Sequence, residues 1–556
     1  MIVASSGRLV LRAYDGSDRD VSLLSGWLSD PRVLQWFEGR DRPHDRAMVR
    51  ELYGSEALAA AQVQAAIIED EAVPLGYLRW YPMATVVEEY DWRDDPTDVW
   101  AADIFVGEPS RWGSGLGSSA LALLVEHLLV AERARRVVVD PWVGNARAIR
   151  AYEKIGFRTV GVHRGHELFE GERRDCWLMA VDALDHPVGL TDRLVEVCAA
   201  ASSSSHPASD GAATIELVTA WAGRHGLDVH VDELAPGRRN VICVRRGSGG
   251  GRTLLLAARL DGEAPLRTTS GRVRLGDGRL EGPGVLDRAG GLAIALLAAA
   301  SIAEGELAGD VLVAGVVDDE PGSLGTEALV ARWKADGAVV LGPTGGEVVC
   351  RHCGVEVLEV VLRGLVSSTA QPERAVSALG TAARVMAALD ALDARWAAEA
   401  ADPRFRPGVV VSGVHAESEA FTMPAHGTMT VEVRTTSLVT TSEVGPVVEA
   451  ITWAAAPASA EVTTTHTRRP MQMRESHRLA EQACAAVAGA TGVPVRAGSA
   501  PYWTAAALLA RAGTPAVVHG PAGGGAGGTD EWVSTTGLRQ SVQALAALAR
   551  TWCAPR

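Results

Sequence analysis

Positive charge is the first thing this chain is short of. Its 53 lysines and arginines face 68 aspartates and glutamates, a formal balance of −15 at pH 7. General nucleic-acid binding needs a basic face and is excluded. The balance suits a cationic partner, although acidity alone mostly serves solubility. Cysteine is sparse as well: the seven are scattered and odd in number. No disulfide framework is expected, and the thiols read as reduced and cytoplasmic. Long apolar runs are missing. The most apolar stretch, Gly290 to Ile302 (GGLAIALLAAASI), is too short to span a bilayer and reads as a buried helix, so no membrane partner is expected. The opening MIVASSGRLVLRAYDGSD has no basic patch followed by an apolar core, so no signal peptide is expected. There are no tandem repeats and no long charged tract, which leaves a folded composition rather than a disordered one.

A chain of 556 residues is too long for one ordinary core, so two or three domains are expected. Residues 8 to 182 read as a first mixed α/β unit. LVLRAYDGSD is a strand and turn, followed by a helix through Leu23 to Leu28. AAIIEDEAVPLGYLRWYP is a hairpin, VWAADIFVGEP a strand, and GSGLGSSALALLVEHLLVAERAR a glycine turn opening a helix with Leu121, Leu124, Val125 and Leu128 on one face. RVVVDP is a strand, NARAIRAYEKIGF a short helix, and RRDCWLMAVD a closing strand. A linker is expected at about 183 to 191, giving a first domain over 1–185. The serine-rich stretch at 201 to 213 is read as a loop inside the second unit. From about 190 the chain alternates strands and helices in the α/β manner. A change of texture between about 365 and 470 marks a small inserted α+β domain within a larger α/β domain (186–364 and 471–556).

The chemistry concentrates in two segments. In ADIFVGEPSRWGSGLG, a strand runs into Gly113, Ser114, Gly115 and Gly117 and then a helix. Bare backbone N–H groups at a helix N-terminus suit a diphosphate, and glycine lets the backbone come close. In NARAIRAYEKIGF, Tyr152 lies on a helix four residues after Ala148, where a phenol can protonate a departing thiolate; a packed amphipathic tyrosine is the alternative. The order and spacing of these segments resemble the GNAT superfamily of acetyl-CoA-dependent N-acetyltransferases, and within it the aminoglycoside 6'-N-acetyltransferases. Trp36 in SDPRVLQWFEG, Gly76 and Tyr77 in PLGYLRWYP, the acidic EEYDWRDDP, Asp103, and VDPWVGNARAIRAYEKIGF carry the likeness. The resemblance implies acetyl-CoA as co-substrate, with the glycine turn on its diphosphate, Asn145 at the pantetheine arm or thioester, and Tyr152 as general acid. Trp112 departs from the pattern, which often has Gln or Arg before the first glycine.

An alkyl ammonium must lose a proton before it attacks a thioester, and a nearby carboxylate can hold the cation and accept that proton. Asp103, within the strand leading to the turn, and Asp140, ending the neighbouring strand, take the amine-binding and base roles by resemblance. Strand amides at Ile104, Phe105 and Val106 can polarise the thioester carbonyl. Glu88, Glu89 and Asp91 belong to an acidic run that, beside a cleft, gathers a polycation. Trp36, Tyr77 and Trp92 complete the expected acceptor site, with core packing the alternative for the tryptophans. The expected acceptor is a cationic, aminoglycoside-like small molecule. A biosynthetic amine such as a siderophore precursor is the second reading.

The remainder resembles dizinc amidohydrolases of the acetylornithine deacetylase and succinyl-diaminopimelate desuccinylase type, through TLLLAARLDG, GPGVLDRAGGLAIALLAAA, VVDDEPGSLGT, LGPTGG and GGTDEWV. Such a site needs histidines and carboxylates for two zinc ions and a glutamate base. Here Arg259 stands where the first histidine is expected, Gly342 replaces a carboxylate before Pro343, and Gly528 replaces the last histidine. Asp261, Asp287, Asp319 and Glu320 remain. An arginine repels a cation and cannot coordinate it, so no metal is expected and the domain reads as a pseudo-hydrolase; a bifunctional transferase and metal-dependent deacylase is the alternative. Dimerisation through the inserted domain is implied by the resemblance. The CRHCG pair Cys350 and Cys353 is a single C-x-x-C and is read as structural; His127, His415 and His426 are assigned nothing.

Overall fold

The computed structural model describes residues 1–203, 212–260, 273–317, 323–437, 441–526, 528 and 530–555. They divide into two compact units, Met1–Arg193 and Leu194–Arg556. No helix among them is long and apolar enough to cross a membrane.

The first unit is a mixed sheet built from β1 (Ile2–Ser6), β2 (Leu9–Ala13), β3 (Gln64–Asp70), β4 (Val73–Pro82), β5 (Val99–Val106), β6 (Arg136–Val139), β7 (Arg158–Phe169) and β8 (Glu172–Asp182), in the order β1-β2-β3-β4-β5-β6-β8-β7. Neighbours are antiparallel except β5 and β6, which are parallel. Six helices fill the connections: α1 (Asp18–Trp27), α2 (Pro31–Leu34), α3 (Arg46–Tyr53), α4 (Ser55–Ala60), α5 (Leu116–Val130) and α6 (Ala146–Glu153). Pleat alternation makes two cores. Leu78, Trp80 and Ala102 face the buried stripe of α5 (Ala120, Leu121, Leu124, Val125, Leu128, Leu129). Ile67, Tyr77 and Phe105 pack on the other side beneath α1 and α3. Each large apolar side chain so buried contributes about 1.5–3 kcal/mol relative to exposure.

The β5–β6 pair sets up the site. Its register runs only from Val99↔Arg136 to Ala101↔Val138. Beyond Ala101, β5 continues to Val106 with β4 alone beside it, so the two strands part and leave a wedge.

The second unit carries a nine-stranded sheet. Its parallel centre is Val311–Val316, Leu254–Arg259, Gly337–Leu341 and Ala516–His519. The apolar run after Gly290 is a helix, Ala289–Ala300, whose residues are buried on every side from Ala289 to Ala299. A four-stranded sheet carries the helices Ala378–Glu399 and Thr441–Ala455. It includes the strand Gly354–Arg363, so the smaller layer draws on chain upstream of 365. Two features differ from the sequence reading. The stretch expected as a linker instead starts a helix, Pro187–Ser203, because LTDRLVEV has helical apolar spacing. The strand β7 escapes the alternation pattern, since it lies at the sheet edge with most residues exposed or half-buried. Most of the serine-rich stretch, residues 204–211, lies outside the described residues.

Candidate active site

The wedge between β5 and β6 opens into a cavity of about 690 Å³. At one end is the glycine turn. Gly113 and Gly115 have φ of 78° and 86°, and a Cβ added at either would meet nothing within 4 Å, so the turn faces open space. Gly115 is the N-cap of α5 and no side chain caps it, leaving first-turn amides for an anion. Trp112 fastens the turn to the strand by donating its indole N–H to the Val106 carbonyl at 2.8 Å. Opposite stands α6. Asn145 caps it, with Oδ1 accepting from the Ala148 amide at 3.1 Å, and Tyr152 lines the cavity from its last turn. Burial raises the Tyr152 phenol, as do the charges of Asp103 and Asp140, while Arg147 pulls it down. The hydroxyl is therefore protonated at neutral pH.

The other end is acidic. Asp103 pairs across the strands with Arg79, Nε to Oδ2 at 2.7 Å, and accepts from the Tyr81 hydroxyl at 3.4 Å. Burial pushes the Asp103 carboxyl up and Arg79 opposes it. Asp140, just past β6, takes His166 Nε2 at 3.2 Å. That hydrogen bond raises the imidazole, against its partial burial. His163, 5.2 Å away ring to ring, is lowered by burial and by the charge of His166. Glu89 and Glu167 also line this end, and burial raises Glu167. The Tyr81 and Tyr90 hydroxyls lie 3.2 Å apart beside them.

The cavity thus gathers Asp103, Asp140, Tyr152, Ile104, Phe105, Val106, Gly113, Gly115, Gly117, Asn145, Trp36 and Glu89. Other expected residues fall elsewhere. Tyr77 shares a pleat face with Arg79 and Tyr81 but is 1% exposed, sealed beneath Tyr14 and Tyr53; it belongs to the core, not to an acceptor site. Trp92 packs with Tyr81, Met83 and Tyr90. Glu88, Asp91 and Ser114 are not among the lining residues; the Ser114 hydroxyl bonds back to the Arg111 carbonyl at 2.6 Å. Sequence reasoning missed Arg79, Tyr81, Tyr90, His166 and Glu167. The last two are on β7, the strand that also went unread, and only register pairs Arg79 with Asp103.

In the second unit, a cavity of about 300 Å³ opens at the carboxyl ends of the parallel strands, the usual ligand edge of an open α/β sheet. Arg259, Asp287, Gly342, Pro343 and Tyr502 line it beside apolar residues.

Comparison with known proteins follows the same division. Residues 17–164 match the acetyltransferase (GNAT) domain and residues 263–551 match peptidase family M20/M25/M40. The aminoglycoside N(6')-acetyltransferase type 1 of Klebsiella pneumoniae is 31% identical over 163 residues, 29% of this chain and 79% of that protein. The chain belongs to both families: a GNAT N-acetyltransferase joined to an M20 peptidase-like domain. A tripeptidase from Staphylococcus aureus shares the fold of the M20 unit, with a TM-score of 0.57 at 17% identity, covering 65% of this chain and 98% of that one. An N-formyl-4-amino-5-aminomethyl-2-methylpyrimidine deformylase of Halalkalibacterium halodurans is 25% identical over 242 residues, 39% of this chain and 55% of that protein.

M20 membership implies zinc, and the described donors of the M20 unit do not fit it. Arg259 Nη1 donates to Asp287 Oδ2 at 3.0 Å, placing a fixed cation on the carboxylate that the resemblance makes a bridging ligand. Gly342 offers no side chain. Among the described residues no group of three or more His, Cys, Asp or Glu is arranged to hold a metal ion. Asp261, Asp319 and Glu320 lie outside the described residues. The loop carrying Asp287 is fixed instead by Glu531, whose carboxylate accepts from the amides of Gly284, Leu286 and Asp287 at 2.8, 2.8 and 3.2 Å. Cys350 and Cys353 are both buried; burial pushes the Cys350 thiol up to about 12 and raises Cys353 too. That is the setting of inert core thiols.

Proposed function

We propose that the GNAT unit transfers the acetyl group of acetyl-CoA to an amino group of an aminoglycoside-like cationic small molecule. One observation carries this reading: the open glycine turn and five carboxylates, Glu38, Glu89, Asp103, Asp140 and Glu167, line the same cavity. The amine reaches the acidic end as a cation and is held there. Asp103, pinned by Arg79, serves as a fixed negative charge. Asp140 accepts the ammonium proton, with His166 on its other oxygen side to share the load. The freed amine attacks the thioester carbonyl, whose developing charge is met by the β5 amides at Ile104–Val106, beyond the end of the β6 pairing. The C–S bond breaks and Tyr152 gives its proton to the departing thiolate. Trp36, half-exposed at the rim, offers an apolar face to a sugar ring.

The test is mass spectrometry of products from acetyl-CoA and a panel of aminoglycosides, polyamines and a siderophore-precursor amine. A single added acetyl group on aminoglycosides is expected. Acetylation of the precursor amine alone would move the acceptor to the biosynthetic reading.

We further propose that the M20 unit is a pseudo-hydrolase that binds no catalytic zinc, on the strength of the Arg259–Asp287 pair. M20 membership favours the competing reading, a bifunctional transferase and deacylase. Metal analysis of the purified chain separates them: near-stoichiometric zinc that disappears in Asp287→Asn establishes the second. Pairing of two copies through the small-sheet layer, as the resemblance implies, is open to sedimentation analysis.

A further inference from the structure

The cavity of the GNAT unit has a basic wall that acceptor binding does not explain. Arg147, Arg150 and Lys154 come from α6 and its C-cap. Spaced i, i+3 and i+7, they share one helix face, and all three are exposed and line the cavity. Of the other arginines lining the cavity, Arg79 pairs with Asp103 and Arg111 with Asp70, Arg174 lies over the rings of Trp142 and Phe169, and Arg42 stands alone, away from α6. None of the three on α6 has a carboxylate partner among the described residues, and burial lowers the Arg147 guanidinium. In a chain with a formal charge of −15, three neighbouring cations left unpaired on one cavity wall point to an anionic ligand.

Arg147 is also held in place. Its guanidinium carbon lies 4.5 Å from the ring centre of Trp112 and 5.3 Å from that of Trp36, within cation–π range of both indoles. Trp112 is the residue immediately before Gly113 and is fixed to the Val106 carbonyl. The stack therefore brings a formal positive charge to the mouth of the glycine turn. The turn itself supplies only amide dipoles there, because Trp112 is neutral.

We propose that Arg147, Arg150 and Lys154 form the phosphate wall of the coenzyme site. Arg147 complements the amides of the Gly113–Gly117 turn around the diphosphate, and the wall as a whole makes binding depend on the phosphate monoester at the nucleotide end. This rests on the acetyl-CoA reading above. It also divides the cavity by charge: anions bind along α6 and the cationic acceptor at the Asp140 end, so each is repelled from the other's seat.

Calorimetric titration of the full chain with acetyl-CoA, its 3'-dephospho form and S-acetylpantetheine tests this. Each exposed ion pair contributes about 0.2–1 kcal/mol, so Arg150→Gln/Lys154→Gln, which removes two, is expected to weaken acetyl-CoA binding by about 2- to 30-fold. The dephospho form should lose less, S-acetylpantetheine should be unaffected, and the salt dependence of acetyl-CoA binding should flatten. Arg147→Lys keeps the charge but not the planar stack, and should weaken both nucleotide forms alike. The proposal is overturned if the double variant, melting at the wild-type temperature, binds acetyl-CoA as tightly as wild type, or weakens all three probes equally. Failure of the wild-type chain to bind acetyl-CoA at all would instead remove the transferase reading and this wall with it.

Discussion

The two cavities of this chain make opposite use of charge. In the GNAT unit, the glycine turn, β4, β5, the end of β6, α6 and β7 bring acids and bases to one space of about 690 Å³, where an imidazole raised by its carboxylate partner, a carboxyl raised by burial and a buried phenol coexist. In the M20 unit, the cavity of about 300 Å³ at the sheet's carboxyl edge is mostly apolar, and its described charges are spent on each other in the Arg259–Asp287 pair. Both folds belong to enzyme families, but a fold sets only where a site can be. What distinguishes the cavities is whether their charged groups remain available to a ligand.

The largest expected effect breaks the GNAT side of that contrast. Tyr152→Phe should lower kcat/KM for acetyl transfer by about 10²–10⁴-fold, the usual contribution of a placed acid or base, and Asp103→Asn, which removes the fixed negative charge, by about 10²–10³-fold. Acetyl-CoA affinity by calorimetry should stay within about twofold. Retained turnover in Asp103→Asn would remove that carboxylate from the mechanism. Next in size, Leu296→Ala in the all-round buried helix of the M20 unit should cost about 2–5 kcal/mol of stability. Differential scanning calorimetry should show a lowered transition for that unit, with acetyl transfer at the wild-type rate below it; loss of transfer would mean the two units are energetically coupled.

A smaller effect sharpens the acidic end. The Asp140 bond raises the His166 imidazole above its ordinary 6.5. A group raised on folding adds stability that is fully present below its unfolded value and is lost as pH rises through its folded value. Asp140→Asn should therefore shift the His166 titration, followed by NMR, to lower pH and reduce stability below about pH 6.5 while leaving it nearly unchanged well above the folded value. An unchanged His166 titration would show that the pair does not form in solution. Smallest of all, Glu88→Gln and Asp91→Asn alter carboxylates that do not line the cavity. They should change KM for a cationic acceptor by less than about twofold at physiological salt, where exposed charges are screened; a large loss of kcat would put the acidic run inside the site.

Residues whose local conformation announces them were legible in the sequence. Gly113 and Gly115 need positive φ, Asp103 sits within a strand that leads straight to them, and Tyr152 rides a short helix with a recognisable cap. Residues made functional by register or by an irregular edge were not. Arg79 matters because the β4–β5 register sets it opposite Asp103. His166 and Glu167 lie on β7, whose exposed edge hides the strand period. Tyr77 shows the converse error: its motif and pleat face fit an acceptor site, yet α1 and α3 cover it. In the M20 unit, Arg259 and Gly342 were readable as substitutions, whereas the three bonds that the Asp287 loop donates from its amides to the Glu531 carboxylate depend on residues more than two hundred positions apart.

The most direct measurement is the rate of thiol release from acetyl-CoA by the full chain, with and without an aminoglycoside. Slow background hydrolysis that rises by orders of magnitude when the aminoglycoside is added, and falls back in Tyr152→Phe, is the predicted result. Release that ignores every cationic amine, in protein that binds acetyl-CoA normally, would contradict the account.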